Sequence, residues 1–419
     1  MPTVRRICML SVHGYFDPVP VLGATDTGGQ VTYVLELSKA LAELGVFVDV
    51  YTRLFGERSA TESVNARVRL VRIPCGGNAF IRKEDLFPQL DEYVENMARY
   101  LAAHNLRYDL IHSHYWDAGY VGMNIAERLR LPFIYTAHSL GAWKREQMGG
   151  DPVEMERLFK FSERIHWENT IFRRATAQTV TTLDGREPYK RLYGFESDDL
   201  VVIPPGVDVR RFRPEPPATA ASLATPENYV FALSRIDSNK GLDYLIRAFD
   251  RVSRSSPARL VIGGGSIGPK PHETAVRNTL VRLVDSLRLG ERVTFAGYIP
   301  DDHLDTYYRN ARVFVLPSKY EPFGMTVLEA MACGTPVVAT GHGGLRHELT
   351  DRKDSLLVDP SDPAALSSAI LEILNDGSLA RQLREAGLRL VEERYSWQSI
   401  ARQTLSFYEK YTAVRPETF

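Results

Sequence analysis

From Ile7 to Val358, short β-branched runs alternate with longer stretches of helical periodicity, which points to parallel sheets built from βαβ units. The first set of predicted strands is Ile7–Val12, Val46–Thr52, Val68–Ile73, Leu110–Ser113, Phe133–Thr136, Gln178–Thr181 and Val201–Ile203. Between the first two, Val34, Leu37, Leu41 and Leu44 recur at helical spacing, and Gly45 supplies a C-terminal cap. A second set starts afresh at Tyr229–Leu233 and runs through Leu260–Ile262, Val293–Ala296, Val313–Leu316, Val337–Ala339 and Leu356–Val358. Pro204-Pro205-Gly206, Pro214, Pro216, Pro217 and the tract to Pro226 separate the two sets, since irregular prolines continue neither ladder nor helix. The expected architecture is α/β: two Rossmann-like, doubly wound domains facing across a cleft, over residues 1–205 and 206–395. A closing helical segment in 396–419 packs back on the first.

Composition excludes several classes. The 419 residues carry a formal net charge of −1, without the basic excess of nucleic-acid or anionic-membrane binders. Cys8, Cys75 and Cys333 stand far apart and form neither a zinc signature nor a disulfide framework. No apolar run reaches the roughly 20 residues of a membrane span, and Met1–Arg6 leads into a strand without a signal-peptide pattern. A cytoplasmic protein acting on small molecules is expected.

The most informative segment is Glu321-Pro322-Phe323-Gly324-Met325-Thr326-Val327-Leu328-Glu329, which follows the strand Val313–Leu316. A helix opening at Gly324 offers amide N–H groups and partial positive charge to a phosphate. Either glutamate alone reads as an ordinary surface residue. The pair acquires meaning from Arg235, at the end of Tyr229–Leu233, and Lys240, at the start of the next helix, two cations expected at the mouth of one strand as a diphosphate clamp. In the first half, Gly28-Gly29-Gln30 precedes the helix from Val31, which suits close approach of an anion and equally suits a plain turn. His138, just past Phe133–Thr136, could hydrogen-bond a sugar hydroxyl or serve a structural role. Gly263-Gly264-Gly265-Ser266-Ile267-Gly268 matches a dinucleotide fingerprint, but Pro269 and Pro271 stand where that motif needs a continuing helix. The chain has no Asp-x-Asp, no P-loop and no Gly-x-Ser-x-Gly.

These residues resemble the retaining glycosyltransferases of the GT-B fold. Asp26-Thr27-Gly28-Gly29-Gln30-Val31, His112-Ser113-His114-Tyr115-Trp116-Asp117 and His138-Ser139-Leu140-Gly141 narrow the likeness to the sucrose-phosphate synthase group. Arg72-Ile73-Pro74-Cys75-Gly76-Gly77 and Trp143-Lys144-Arg145-Glu146-Gln147-Met148 are similar to the mannosylfructose-phosphate synthases within it. The resemblance implies that Arg235 and Lys240 hold the donor diphosphate, with the backbone of Gly28, Gly29 and Thr326. It places Glu329 on the ribose, Tyr298 by the base, and Glu321 at the donor hexose. Phe323, Gly324 and Met325 line the donor side, and His138 meets the sugar near its C6 hydroxyl. Lys83, Lys144 and Arg164, with Gln30, Tyr115 and Ser139, would hold a fructose 6-phosphate acceptor; read without the resemblance, those cations are solvated helix faces.

The implied reaction moves a hexose from a nucleotide diphosphate sugar to a sugar phosphate, with no metal required and Mg²⁺ at most stimulatory. GDP-mannose to fructose 6-phosphate leads, with UDP-glucose to fructose 6-phosphate as the alternative. A non-catalytic sugar-nucleotide sensor and an epimerase are the rivals from other classes.

Overall fold

The computed structural model describes residues 3–14, 16–18, 29–148, 150–215, 225–269, 271–321 and 323–412. The chain divides into two units, Met1–Gly206 with Trp397–Phe419, and Val207–Ser396.

The first unit carries eight strands: β1 (Arg6–Leu10), β2 (Phe47–Leu54), β3 (Thr61–Ser63), β4 (Val68–Pro74), β5 (Leu110–His114), β6 (Phe133–Thr136), β7 (Ala177–Val180) and β8 (Leu200–Val202). Their order is β3-β4-β2-β1-β5-β6-β7-β8, and every pairing is parallel except β3 with β4. In β1, Cys8 and Leu10 join one core and Ile7 and Met9 the other, so both faces are covered and the strand reads as one apolar run. β3 was not predicted from the sequence. Its residues Thr-Glu-Ser are exposed or half-buried and carry no apolar alternation for a reader to find.

The helix Trp397–Thr412 belongs to this unit, burying Trp397, Ile400, Phe407 and Tyr408 with Val31, Val34 and Leu41 of the helix Gly29–Glu43. Gly206 lets Trp397 approach: a Cβ there would lie 2.6 Å from the indole Cδ2.

The second unit carries β9 (Tyr229–Leu233), β10 (Arg259–Gly263), β11 (Val293–Gly297), β12 (Val313–Leu316), β13 (Val337–Thr340) and β14 (Leu356–Val358), all parallel, in the order β11-β10-β9-β12-β13-β14. Val230 and Ala232 face one core, Tyr229 and Phe231 the other.

One expectation is corrected. Pro271 does not interrupt a helix but begins one, Pro271–Ser286, because proline's fixed φ and missing N–H suit the first helical position. The glycine turn before it is closed by Glu273, which accepts from the amide of Ser266 at 2.7 Å and from its hydroxyl at 2.8 Å.

In each unit the strand order reverses once, at β1/β5 and at β9/β12. Ligands of doubly wound sheets bind beyond the carboxyl ends of such strands.

Candidate functional site

In the first unit, the chain leaving β1 carries His13 and the chain leaving β5 carries Tyr115, both at the reversal point. A cavity of about 430 Å³ opens there, lined by His13, Gly29, Gln30, Val31, Lys83, Tyr115, Ser139, Trp143 and Lys144. Five residues expected on the acceptor, Gln30, Lys83, Tyr115, Ser139 and Lys144, are thus brought together from four separate stretches of chain. Gly28, expected beside Gly29, lies outside the described residues.

Each of these side chains is placed by a local device. Gln30 donates from Nε2 to the Ser11 hydroxyl at 2.8 Å and to the carbonyl of His114 at 3.3 Å. Lys83 starts the single 3-10 turn Lys83–Asp85 and sits 3.3 Å from Glu84. Lys144 rides on the helix Gly141–Met148, its ammonium 5.1 Å from the centre of the Phe159 ring. Tyr115 has φ +77° and ψ 163°, a region otherwise almost reserved for glycine, at a cost on the order of 1–3 kcal/mol. Its amide donates to the carbonyl of Thr136 at 2.9 Å, which holds it there.

Arg164, the sixth expected acceptor residue, is placed differently from the others. It is 4% exposed and its guanidinium is engaged by protein. Nε donates to Glu168 at 2.8 Å, Nη1 to the Tyr115 hydroxyl at 2.7 Å, and Nη2 to the Ser139 carbonyl at 2.7 Å and hydroxyl at 3.0 Å. Burial alone would lower its pKa, but Glu168 and Tyr115 outweigh that and raise it. Arg164 stands beneath Tyr115 and Ser139 as their support.

His13 was not singled out from the sequence. Its Nδ1 lies 2.7 Å from Asp117, a fully buried carboxylate in the first turn of the helix Trp116–Leu129. The ring also packs edge-on to Tyr115, with centroids 4.6 Å apart. The available signal was positional: a histidine directly after β1 and an aspartate directly after β5, the two strands that flank the reversal point.

His138 belongs to a cluster of neutral imidazoles. Its Nε2 is 2.9 Å from Nδ1 of His114, whose own Nε2 is 2.8 Å from the Met9 sulfur. A thioether only accepts, so His114 carries its hydrogen on Nε2 and its Nδ1 is a bare acceptor. Neutral His138 therefore donates Nε2–H to it and keeps Nδ1 as an acceptor. Burial, then the charge of His13, depresses the His138 pKa to about 3, while burial, then His138, brings His112 to about 3.

In the second unit, Arg235 follows β9 and is exposed, while Glu321 follows β12. Lys240 does not open the next helix as expected. It closes the 3-10 turn Ser238–Lys240, and Gly241 separates it from the helix Leu242–Ser255. Gly241 has φ +64°, and a Cβ there would lie 1.8 Å from the Pro317 carbonyl oxygen, so only glycine lets this turn press against the end of β12. That contact brings Lys240 Nζ to 2.9 Å from Glu321 Oε2, which also accepts from the Ser318 hydroxyl at 3.0 Å.

Gly324, with φ +81°, caps the helix Met325–Ala332. The amides of Met325 and Thr326 open that helix, where no carbonyl one turn back can accept them. Phe323 is buried just before it. Glu329, one turn further in, accepts from the Tyr308 hydroxyl at 2.7 Å, and desolvation raises its pKa. Tyr298, half-buried, follows β11 at the sheet edge. The second unit therefore pairs Lys240, after β9, with Glu321, after β12, with Arg235 exposed after β9 and the helix Met325–Ala332 following Glu321.

Residues 219–389 match the family "Glycosyl transferases group 1", 27–211 match "Glycosyltransferase Family 4", and 1–49 match "Sucrose synthase first GT-B domain". The chain is 41% identical over 413 residues to the mannosylfructose-phosphate synthase of Agrobacterium fabrum, covering 96% of this chain and 91% of that one. It is 33% identical over 431 residues to the D-inositol 3-phosphate glycosyltransferase of Xylanimonas cellulosilytica, covering 99% and 100%. Among solved structures, the sucrose-phosphate synthase of Thermosynechococcus elongatus superposes with a TM-score of 0.79 at 34% identity, over 98% of this chain and 100% of the other. A parallel sheet in each unit, the reversal-point residues and these likenesses agree: the chain belongs to the GT-B glycosyltransferases, in the group of the mannosylfructose-phosphate and sucrose-phosphate synthases.

Proposed function

We propose that the protein is a retaining hexosyltransferase that uses a nucleotide diphosphate sugar and a phosphorylated sugar acceptor, transferring mannose from GDP-mannose to fructose 6-phosphate. The observation that carries this reading is the first-unit cavity, which Lys83 and Lys144 line together with Gln30, Tyr115 and Ser139. Two ammonium groups beside hydroxyl and amide donors suit a dianionic phosphate attached to a polyol. The relatives' names point the same way, each containing a phosphorylated sugar or cyclitol. The structural likeness to a sucrose-phosphate synthase supports sucrose-phosphate synthesis as the alternative, with UDP-glucose the donor that the family resemblance implies.

On this reading the second unit takes the donor. Arg235 and Lys240 receive the diphosphate, with the amides of Gly324, Met325 and Thr326 and the partial positive charge of their helix. Glu329, held by Tyr308, takes the ribose hydroxyls, and the backbone near Tyr298 meets the base. Glu321 orients the hexose. His138 offers its bare Nδ1 to a sugar hydroxyl, and the Gly28–Gly29 backbone adds amides to the diphosphate.

Retention follows if the acceptor hydroxyl attacks the anomeric carbon from the face the diphosphate leaves. The carbon–oxygen bond to phosphate breaks, the new glycosidic bond forms on the same face, and the acceptor proton passes to the departing phosphate oxygen. The charge that grows on that oxygen is met by fixed cations, which supports a reaction that needs no metal. We place the reaction in the cytoplasm, where both substrate classes are made; among the described residues no helix is long and apolar enough to cross a membrane.

The test is a donor-by-acceptor matrix of GDP-mannose, UDP-glucose and ADP-glucose against fructose 6-phosphate, inositol phosphate and free fructose, with the anomeric configuration of the product read by NMR. Turnover highest with GDP-mannose and fructose 6-phosphate, and an α-linked product, is the expected result. Equal use of free fructose sinks the phosphate-acceptor reading.

A further inference from the structure

Glu168 lies in the middle of the helix Phe161–Arg174 and is fully buried, yet none of the roles above uses it. Its carboxylate meets three donors. Arg164 Nε donates to Oε1 at 2.8 Å, the amide of Gly141 donates to Oε2 at 2.9 Å, and the Tyr193 hydroxyl also donates to Oε2.

Each donor leads to the cavity wall by its own route. Arg164 continues to the hydroxyl of Tyr115 and to both oxygens of Ser139. Gly141 is the first residue of the helix that carries Trp143 and Lys144. The Tyr193 hydroxyl accepts from the amide of Ala142, one residue further along, at 3.0 Å. The fit is close: a Cβ on Gly141 would lie 3.0 Å from the Arg164 side chain and from Glu168 Oε2. A carboxylate that served only to neutralise Arg164 would need one of these contacts.

We propose that Glu168 is the positioning residue of the acceptor cavity, holding Tyr115, Ser139 and the turn that bears Trp143 and Lys144 at the spacing a phosphorylated acceptor requires. The proposal rests on the acceptor reading above and extends it to a residue that touches no substrate. The hydroxyl of Tyr115 is thereby pinned through Arg164 to this carboxylate.

Glu168→Gln is the informative change. The Tyr193 hydroxyl can turn to accept, but Arg164 Nε and the Gly141 amide, which reaches Oε2 at 2.9 Å and Oε1 at 3.1 Å, can only donate, so an amide nitrogen at either oxygen position opposes one of their contacts and removes the charge with little change of volume. With saturating donor, the acceptor KM should rise roughly 10- to 100-fold, with kcat and donor KM within about threefold of the wild type. Amide hydrogen exchange across residues 139–148 should accelerate at least roughly tenfold without any substrate present. Arg164→Lys is the second variant: it keeps a charge beside Glu168 but cannot fork to Tyr115 and Ser139, so the acceptor KM should rise while Gly141 stays protected.

An acceptor KM within twofold of the wild type in folded Glu168→Gln overturns the proposal. So does a parallel fall in kcat and donor affinity, or failure of both variants to fold, since each marks a merely structural residue. If the wild type uses no phosphorylated sugar, the acceptor reading has failed instead. The exchange measurement then still decides whether Glu168 holds the wall, and unchanged exchange rejects it.

Discussion

Around the cavity of the first unit, Arg164, Glu168 and Asp117 are buried and bonded to protein groups, and His112, His114 and His138 are held neutral. The second unit does the reverse at its strand ends, leaving Arg235 exposed and pairing Lys240 with Glu321 across 2.9 Å. The difference follows the chemistry proposed for each. An acceptor changes little in charge during transfer, so its walls can be fixed in advance by satisfied hydrogen bonds. A leaving diphosphate gains negative charge, so on this reading the second unit sets cations at its strand ends to meet it. Lys240 rests on Glu321, an ion pair that compensates both charges.

The largest effects should therefore fall on the second unit. Arg235→Ala and Lys240→Ala should each lower turnover by roughly 10²–10³, and both should weaken binding of the free nucleoside diphosphate by calorimetry. Lys240→Ala also strips Glu321 of its cationic partner and leaves it only the Ser318 hydroxyl, so Lys240→Ala and Glu321→Ala should not add when combined. Glu321→Ala alone should reduce turnover with less loss of nucleotide affinity. Nucleotide binding as tight as the wild type in both cation variants would show that the diphosphate is held elsewhere.

In the first unit the expected effect is smaller and confined to one substrate. Lys83→Ala or Lys144→Ala should raise the acceptor KM by roughly one to two decades and leave donor binding unchanged, because each removes one charge-assisted hydrogen bond to phosphate. Comparing fructose with fructose 6-phosphate sharpens the point, since both variants should narrow the preference for the phosphorylated sugar. A preference unchanged in both would reject these two lysines as the phosphate site.

What the sequence revealed, and what it hid, divides along the same line. Strands such as Phe133–Thr136 and Val313–Leu316 are legible because both faces of a parallel sheet are buried and the run is apolar or nearly so. Lys83, Lys144 and Tyr115 were drawn together by family resemblance, since spacing alone cannot show that a 3-10 turn and a helix 61 residues apart meet at one cavity. The support beneath them escaped entirely. Glu168 looks like any helix glutamate until Arg164, Gly141 and Tyr193 are seen around it, and the His13–Asp117 pair joins residues 104 positions apart. Pro271 was misread for a more local reason, because a proline that breaks a helix interior and one that starts a helix have the same neighbours in sequence.

The histidine cluster of the first unit gives a pH signature that the second unit should not share. His112 and His114 are buried on β5, with folded-state pKa values below the usual value near 6.5. The unfolded chain then binds protons that the folded chain refuses. Their contribution is fully present above about pH 6.5 and is lost as pH falls toward the folded values, at about 1 kcal/mol per pH unit per histidine. Denaturant midpoints at pH 7.5, 6.5 and 5.5 should decline over the last interval, before ordinary carboxylates titrate. His112→Gln should flatten that decline whatever its effect on stability at pH 7.5. A midpoint that does not change from pH 7.5 to 5.5 would mean the imidazoles are protonated in the fold.

The smallest expected effect concerns metal, and it tests whether the second unit is complete as a diphosphate site. On the proposed donor reading, the guanidinium of Arg235, the ammonium of Lys240 and the start of the helix Met325–Ala332, with about half a unit of positive charge, meet the charge that a departing diphosphate develops. A divalent ion coordinated to the same oxygens would compete with these groups for position. Turnover after exhaustive EDTA treatment and gel filtration should therefore stay within about twofold of the untreated enzyme, and added Mg²⁺ should give a modest rise from binding free nucleotide product. The same measurement on Lys240→Ala sharpens it, because a site that has lost one cation gains more from a soluble one. Mg²⁺ should stimulate that variant more than the wild type. Complete loss of wild-type activity, restored by metal, would show that the cations of the second unit are only part of the stabilising charge, and that the ion pair of Lys240 with Glu321 serves some purpose other than holding a phosphate-binding lysine in reserve.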